Sequence, residues 1–416
     1  MKKIKIGILG CGTVGSAVDK LVHKNHALIH SRTGINLEVT KIADVSPRVH
    51  HPKLVRDAHR VTEDPDISIV VEAIGGEHPA LEFVLSAIKH GKHIVTSNKE
   101  LIALHGEQIL RAAEEKGVMV RYEAAVGGGI PILGPLSHDL LANDITEVFG
   151  IVNGTTNYIL SKMTRDGVEF AEALAEAQKL GYAEANPQKD IGGYDASYKA
   201  AILAGTAFGH LVNWKDVSFE GIAAVTQEDI RYAAEIGYVI KLLAVAKKAH
   251  GACEVHVHPT LVPKNHPLAT VLGPMNAIYV KGNAVGELMF YGPGAGGMAT
   301  ASAVVGDIIA IANAKCQMTN ARSKAMHVRS ANETVSRYYI RLTAPDRHGV
   351  LAGIARAFAD EKVSIAAVTQ KETIGKTATI VIVIHQTREE NLSKAIGRLK
   401  KMRVVRQVCN IMRVGI

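Results

Sequence analysis

Ile4-Lys5-Ile6-Gly7-Ile8-Leu9-Gly10-Cys11-Gly12-Thr13-Val14-Gly15 opens the chain, and its reading decides the fold. Residues 4–9 form a short apolar run, the pattern of a buried strand. Gly10, Gly12 and Gly15 follow as G-x-G-x-x-G, and Ala17, Val18, Leu21 and Val22 then mark one face of a helix. Gly10 permits a tight turn, Gly12 lets the backbone approach a pyrophosphate, and Gly15 lets the helix pack on the strand. Thr13 and Val14 fall at the helix N-terminus, where unpaired N–H groups favour phosphate. The stretch predicts a dinucleotide site on a parallel, doubly wound sheet.

Outward from it, strands are expected at 37–43, 67–71, 93–95 and 118–122, alternating with helices at 78–89 and 101–116. That rhythm belongs to a Rossmann-type α/β domain. Asp44 ends the second strand, where an acid would hold a ribose 2′-OH and favour NAD; Arg48, four residues on, would instead suit the phosphate of NADP. Farther along, a run over 237–250 reads as a helix, and strands are expected at 254–259, 277–281 and 286–291. His256 and His258 share a strand face, but no third metal ligand is near in sequence, so a structural role is expected.

The composition excludes several classes. The chain has 416 residues, 47% hydrophobic and 21% charged, which suits two or three soluble globular domains. Net charge is +8, but the Lys and Arg are scattered and aromatics are only 5%, so an anionic cofactor is expected rather than nucleic acid. Cys11, Cys253, Cys316 and Cys409 lie far apart, as in a reducing cytoplasm, without disulfide or zinc spacing. No membrane span and no signal peptide are expected.

Residues 180–199 carry the chemistry: Leu-Gly-Tyr-Ala-Glu-Ala-Asn-Pro-Gln-Lys-Asp-Ile-Gly-Gly-Tyr-Asp-Ala-Ser-Tyr-Lys. Glu184 precedes a turn at Asn186-Pro187, Asp190 precedes two glycines, and Asp195 and Lys199 stand four apart on a predicted helix face. At Ala177, Gly181, Tyr182, Ala183, Asn186, Pro187, Asp190, Ile191, Gly193, Asp195 and Lys199 the chain resembles the signature of homoserine dehydrogenases. Further stretches resemble the same family: 71–76, Thr96-Ser97-Asn98-Lys99, 123–131, 148–160 and the Gly-rich 291–300.

The resemblance implies reversible, NAD- or NADP-dependent oxidation of L-homoserine to L-aspartate 4-semialdehyde, in threonine, methionine and isoleucine biosynthesis. It implies Lys199 as acid/base, Lys99 facing cofactor and substrate, and Asp195 and Asp190 positioning substrate and lysine. Glu184 would bind substrate, and the loop at Gly296 would approach the cofactor. Some members bind Na+ or K+ near the segment matching Glu123, Val126, Gly128 and Ile130. A homodimer or homotetramer is expected.

After a polar linker at 316–336, the pattern restarts as βαββαβ, the ferredoxin-like order. Asp346, Gly349, Val350 and Leu351 resemble the first loop of ACT domains, amino-acid-sensing modules, although His348 stands where many have Pro. Threonine is the effector this suggests. The expected domains are 1–135 for the dinucleotide (completed by 300–315), 136–299 for catalysis and dimerisation, and 337–416 for ACT. A monofunctional enzyme is expected, since no kinase segment precedes the dinucleotide motif. The rivals are another amino-acid dehydrogenase on the same scaffold and a non-enzymatic amino-acid sensor; intact glycines and the 184–199 constellation argue against the sensor.

Overall fold

Ile4, Ile6 and Ile8 of the opening strand belong to one buried cluster and Leu9 to another, so both faces of the strand are covered. A strand buried on both faces belongs inside a parallel sheet. The computed structural model, which describes residues 2–249, 251–314, 326–374 and 377–416, has that sheet. Six strands run in the order Leu54–Val55, Ile35–Ala43, Lys2–Leu9, Ile69–Glu72, His93–Thr96, Val120–Arg121. Every pairing is parallel. The chain order 3-2-1-4-5-6 is that of a dinucleotide-binding sheet.

The chain divides into two compact units. The first comprises Met1–Val152, Tyr198–Lys215 and Met275–His327. Helix Gly297–Asn313 returns there: its Ala301, Val304, Val305 and Ile308 share a core with Ile4, Ile6 and Val18. The same unit holds an antiparallel set, with Met275–Gly282 paired to both Ile145–Ile151 and Gly286–Pro293.

The second unit comprises Asn153–Ser197, Asp216–Pro274 and Val328–Ile416. Residues 237–250, expected as a helix, instead form strand Tyr238–Ala249, paired antiparallel along its length with Ala252–Pro263. His250 lies outside the described residues. The run is apolar on both faces, and such a run has no period that separates strand from buried helix. The long antiparallel partner decides it.

The tail has strand order Gln407–Val414, Val335–Pro345, Thr377–Ile384, Ile365–Ile374, with helices Val350–Asp360 and Glu389–Lys401 covering one face. That is the ferredoxin-like arrangement. Part of the expected linker, 315–325 with Cys316, lies outside the described residues. Its remainder is structured: Val328 bridges to Cys253, and Ala331–Glu333 is a short helix.

A buried ion cluster ties the tail to helix Gln227–Glu235 within this unit. Arg341 donates to both oxygens of Asp229, at 2.6 and 3.1 Å, and to Glu228 at 2.5 Å. Tyr339 and Asn410 also donate to Asp229. Burial pushes the Asp229 carboxyl up, but the hydrogen bonds from Arg341 and Asn410 outweigh it and hold the group below its ordinary value.

Candidate active site

The glycine turn has the form expected of it. Gly10 has φ +93°, and a Cβ there would lie 2.6 Å from the Ala73 carbonyl. At Gly15 a Cβ would lie 1.9 Å from the Gly10 carbonyl, so the helix sits on the strand too closely for any side chain. At Gly12 a Cβ meets nothing within 4 Å. Helix Thr13–Lys24 begins there with no side-chain cap. Uncapped N–H groups beside open space fit a dinucleotide pyrophosphate. Gly296, φ +120°, caps helix Gly297–Asn313, and the next residue lies against Thr13, whose carbonyl would be 3.0 Å from a Cβ at Gly297. The Gly296 loop and the turn are thus neighbours.

Asp44 accepts from Cys11 N–H at 2.7 Å and from Ser46 N–H at 2.8 Å, so its carboxylate also shapes the turn. Arg48 is exposed. Arg56 organises this loop instead, donating to the carbonyls of Asp44, Ser46 and Val49. Buried Glu72 accepts from Ile74 and Gly75 N–H and from the Thr96 hydroxyl at 2.5 Å. Asn98 donates to the Gly76 carbonyl and caps helix Lys99–Lys116 through Leu101 N–H. Lys99, half-buried, is the first residue of that helix.

Glu123 accepts three N–H groups: Ile132 at 2.5 Å and Leu133 at 2.8 Å on Oε1, and Gly134 at 2.5 Å on Oε2. By accepting these N–H groups its carboxylate caps helix Leu133–Ser137. Val126 is extended, and Gly127 and Gly128 have φ +72° and +57°. Ile130 N–H donates to the Gly127 carbonyl. Among the described residues no group of three or more His, Cys, Asp or Glu could hold a metal.

In the second unit Asn153 draws two carboxylates together. Its amide donates to Asp190 at 2.7 Å and to Asp195 at 2.8 Å, while its oxygen caps helix Gly154–Asp166 through Thr156 N–H. Thr155 donates to Asp190 at 3.4 Å and to the Tyr182 carbonyl at 2.5 Å. Asp195 is 6% exposed. It lies in helix Tyr194–Phe208, whose residues from Tyr198 on belong to the first unit; there Lys199 is 9% exposed and donates Nζ to the Val152 carbonyl at 2.8 Å. Glu184 is exposed, and its carboxylate takes no part in the Asn153 network.

Relatives match the chain over its whole length. The family profile described as "Homoserine dehydrogenase, NAD binding domain" matches residues 10–123, and "Homoserine dehydrogenase" matches 131–309. The homoserine dehydrogenase of Neisseria gonorrhoeae is 42% identical over 430 aligned positions, covering 100% of this chain and 99% of that protein. The chain belongs to the homoserine dehydrogenase family. A crystal structure of a homoserine dehydrogenase from Thiobacillus denitrificans is 42% identical, with TM-score 0.95 over 100% of this chain and 98% of that one. A hyperthermophilic archaeal homoserine dehydrogenase in complex with NADPH is 29% identical, with TM-score 0.65 over 77% of this chain and 100% of that one. The ACT domain profile matches residues 338–404. The chain is thus an oxidoreductase of this family with a nicotinamide cofactor and an ACT domain.

Several residues that organise the chain escaped sequence reasoning. Asn153 lies in the 148–160 stretch that resembles the family, but its bonds to Asp190 and Asp195, distant in sequence, could not be read there. Lys241, 3% exposed, donates to Asn157 at 3.0 Å and to the Val271 carbonyl at 2.5 Å, and burial pushes its ammonium down to about 8. A lysine inside an apolar run was the available signal. Asp307, 6% exposed, accepts Glu123 N–H at 2.8 Å; burial pushes its carboxyl up to about 7. His256 and His258 face each other, Nδ1 to Nδ1, at 3.2 Å, and burial holds both well below the usual histidine range. One must donate and the other accept, which suits a structural pair. Among the described residues no helix is long and apolar enough to cross a membrane.

Proposed function

We propose that this protein catalyses reversible oxidation of L-homoserine to L-aspartate 4-semialdehyde, with Lys199 as the acid/base. The observation that carries this reading is the Lys199 ammonium: buried, held by the Val152 carbonyl, and one helical turn after Asp195. The nicotinamide, when bound, supplies the hydride acceptor. As hydride leaves the carbinol carbon its hydroxyl must lose a proton, so a base is needed at that oxygen. Neutral Lys199 takes the proton and returns it in the reverse direction.

Asp190 and Asp195, joined through Asn153, position substrate and lysine. The substrate ammonium needs a carboxylate. Asp195 is already buried for that task; exposed Glu184 would have to turn inward. Gly10, Gly12, Thr13, Val14 and Gly15 hold the dinucleotide with the Gly296 loop. Asp44 leans the choice toward NAD, although its oxygens already accept two backbone N–H groups. A monovalent cation at 123–130 would be held by the Glu123 carboxylate and by backbone carbonyls such as those of Val126, Gly128 and Ile130.

The enzyme is read as a cytoplasmic homodimer or homotetramer in threonine, methionine and isoleucine biosynthesis, with threonine as effector. Its dinucleotide-binding part is 1–135 with 300–315, its catalytic part 136–299 and its regulatory part 337–416, beyond a 316–336 linker. The test is reduced-nicotinamide absorbance with L-homoserine and NAD or NADP in parallel, with and without L-threonine. Reduction is expected, and the faster cofactor judges Asp44. No reduction by folded protein with either cofactor refutes the reaction.

A further inference from the structure

Asn276 is 1% exposed, and neither its amide oxygen nor its amide nitrogen has a hydrogen-bond partner among the described residues. No other described side chain is left with two such atoms. Buried amides are normally paired, and an unpaired one destabilises the fold. Asn276 stands in strand Met275–Gly282, in the same unit as the Gly10–Gly15 turn.

The amide lies against the loop that joins strand Gly286–Pro293 to helix Gly297–Asn313. Asn276 pairs with Gly292 of the neighbouring strand, and two residues on the loop backbone reaches its side chain. A Cβ at Gly294 would overlap the carbon, oxygen and nitrogen of the Asn276 amide, so only glycine allows this approach. A Cβ at Gly128 would in turn overlap the Gly294 carbonyl and lie 2.9 Å from Ala295 N. Gly129 N–H donates to the Pro293 carbonyl at 3.2 Å. Gly294 is thus packed against both Asn276 and the 128–129 turn. Ala295 N–H, next in the chain, donates to no described residue. The far end of the loop reaches the dinucleotide turn, where Gly297 lies against the carbonyl and methyl of Thr13.

An unused acceptor and an unused donor therefore stand one residue apart. Residues 294, 296 and 297 are glycine, so the peptide planes of this loop turn at little steric cost. A turn of the Gly294–Ala295 peptide would bring the Ala295 N–H to the Asn276 oxygen. That bond would relieve a buried unpaired group, so it carries free energy that the present arrangement leaves unused. A ligand that favours the turned loop gains that free energy. The ligand at this end of the sheet is the dinucleotide.

We propose that Asn276 is a positioning residue for the dinucleotide: its amide accepts the Ala295 N–H when the cofactor occupies the Gly12 turn, and so holds the Gly296 loop against it. The inference rests on the dinucleotide assignment made above, so binding is measured apart from turnover. Its signature is one that a merely structural residue lacks. Loss of the amide should strengthen the unliganded fold and weaken the cofactor.

The experiment uses the full chain and Asn276→Leu, which keeps the branched shape and removes both polar atoms. In urea unfolding without cofactor, the midpoint of the variant should lie above that of the parent. Titration with NADH and NADPH, read by nicotinamide fluorescence, should show binding weakened by about tenfold. The KM for the dinucleotide should rise, while that for homoserine at saturating dinucleotide should hold. Amide hydrogen exchange gives an independent reading: with both chains saturated by NADPH, Ala295 N–H should exchange more slowly in the parent than in Asn276→Leu. A variant less stable than the parent, unchanged affinity for both dinucleotides, or equal Ala295 exchange overturns the proposal. A parent chain that binds neither dinucleotide refutes the cofactor assignment and this inference together. Binding by the parent that Asn276→Leu shares undiminished refutes the inference alone.

Discussion

The Gly10–Gly15 turn and the 180–199 stretch are built by opposite means. The turn works through side chains it lacks: Gly15 is required because the Gly10 carbonyl occupies the place of a Cβ, and Gly12 leaves its space open. The stretch works through side chains that must be gathered. Asp190 and Asp195 converge only because Asn153, from another segment, donates to both. A steric rule is local and is written into the sequence where it applies. A convergent polar cluster is written in pieces.

The largest expected effect separates the two regions directly. Lys199→Ala should lower kcat by about 100- to 10,000-fold, the range of general acid/base catalysis. Cofactor affinity, read by fluorescence titration, should barely move, because the turn does not depend on that side chain. Turnover that survives would transfer the acid/base role to Lys99.

Next in size is a test of the gathering principle in the tail. Arg341→Met leaves Asp229, fully buried, without its guanidinium partner, and should cost about 3–5 kcal/mol in urea unfolding. Pairing it with Asp229→Asn should recover much of that loss, since no charge then stays buried alone. If the double variant is as unstable as the single, the ion pair is not the reason.

Legibility follows the same division. The six-stranded sheet could be read from its glycines and its strand–helix rhythm, since each signal lies within a few residues of the element it dictates. The ferredoxin-like tail was legible for the same reason. Lys199 and Asp195 were visible by resemblance and helical spacing, but the bonds of Asn153 were not, because its partners lie 37 and 42 residues away. Strand Tyr238–Ala249 was misread because its apolar run is buried on both faces. The orientation of Glu184 was equally hidden, since nothing local says whether a loop carboxylate faces water.

Asp307 asks whether the nucleotide-binding unit also leans on a buried polar group. Its folded-state carboxyl is raised to about 7 from an ordinary 3.8. The folded state therefore keeps this proton while the unfolded chain loses it, and stability should fall as pH rises from about 4 to 7. Asp307→Asn keeps an oxygen for the Glu123 N–H and should abolish that fall. The variant should be more stable above pH 7 by about 2–3 kcal/mol in denaturant titrations across pH. An unchanged slope would mean that the carboxyl is hydrated in solution.

The smallest effect is the sharpest test of the turn. Gly12 is extended, with φ −76° and ψ −159°, and a Cβ there meets nothing within 4 Å. Gly12→Ala should leave the unliganded chain as stable as before, or more so by about 0.4–1 kcal/mol, because alanine restricts only the unfolded chain. Its cost should appear when a pyrophosphate needs that space, as a loss of about tenfold, or 1.4 kcal/mol, in cofactor affinity. Gly15→Ala should behave in the opposite sense, failing before any cofactor arrives, because its Cβ would lie 1.9 Å from the Gly10 carbonyl. One glycine is then needed for the fold and the other for the ligand. Equal cofactor affinity for Gly12→Ala and the parent chain would place the pyrophosphate elsewhere on the turn.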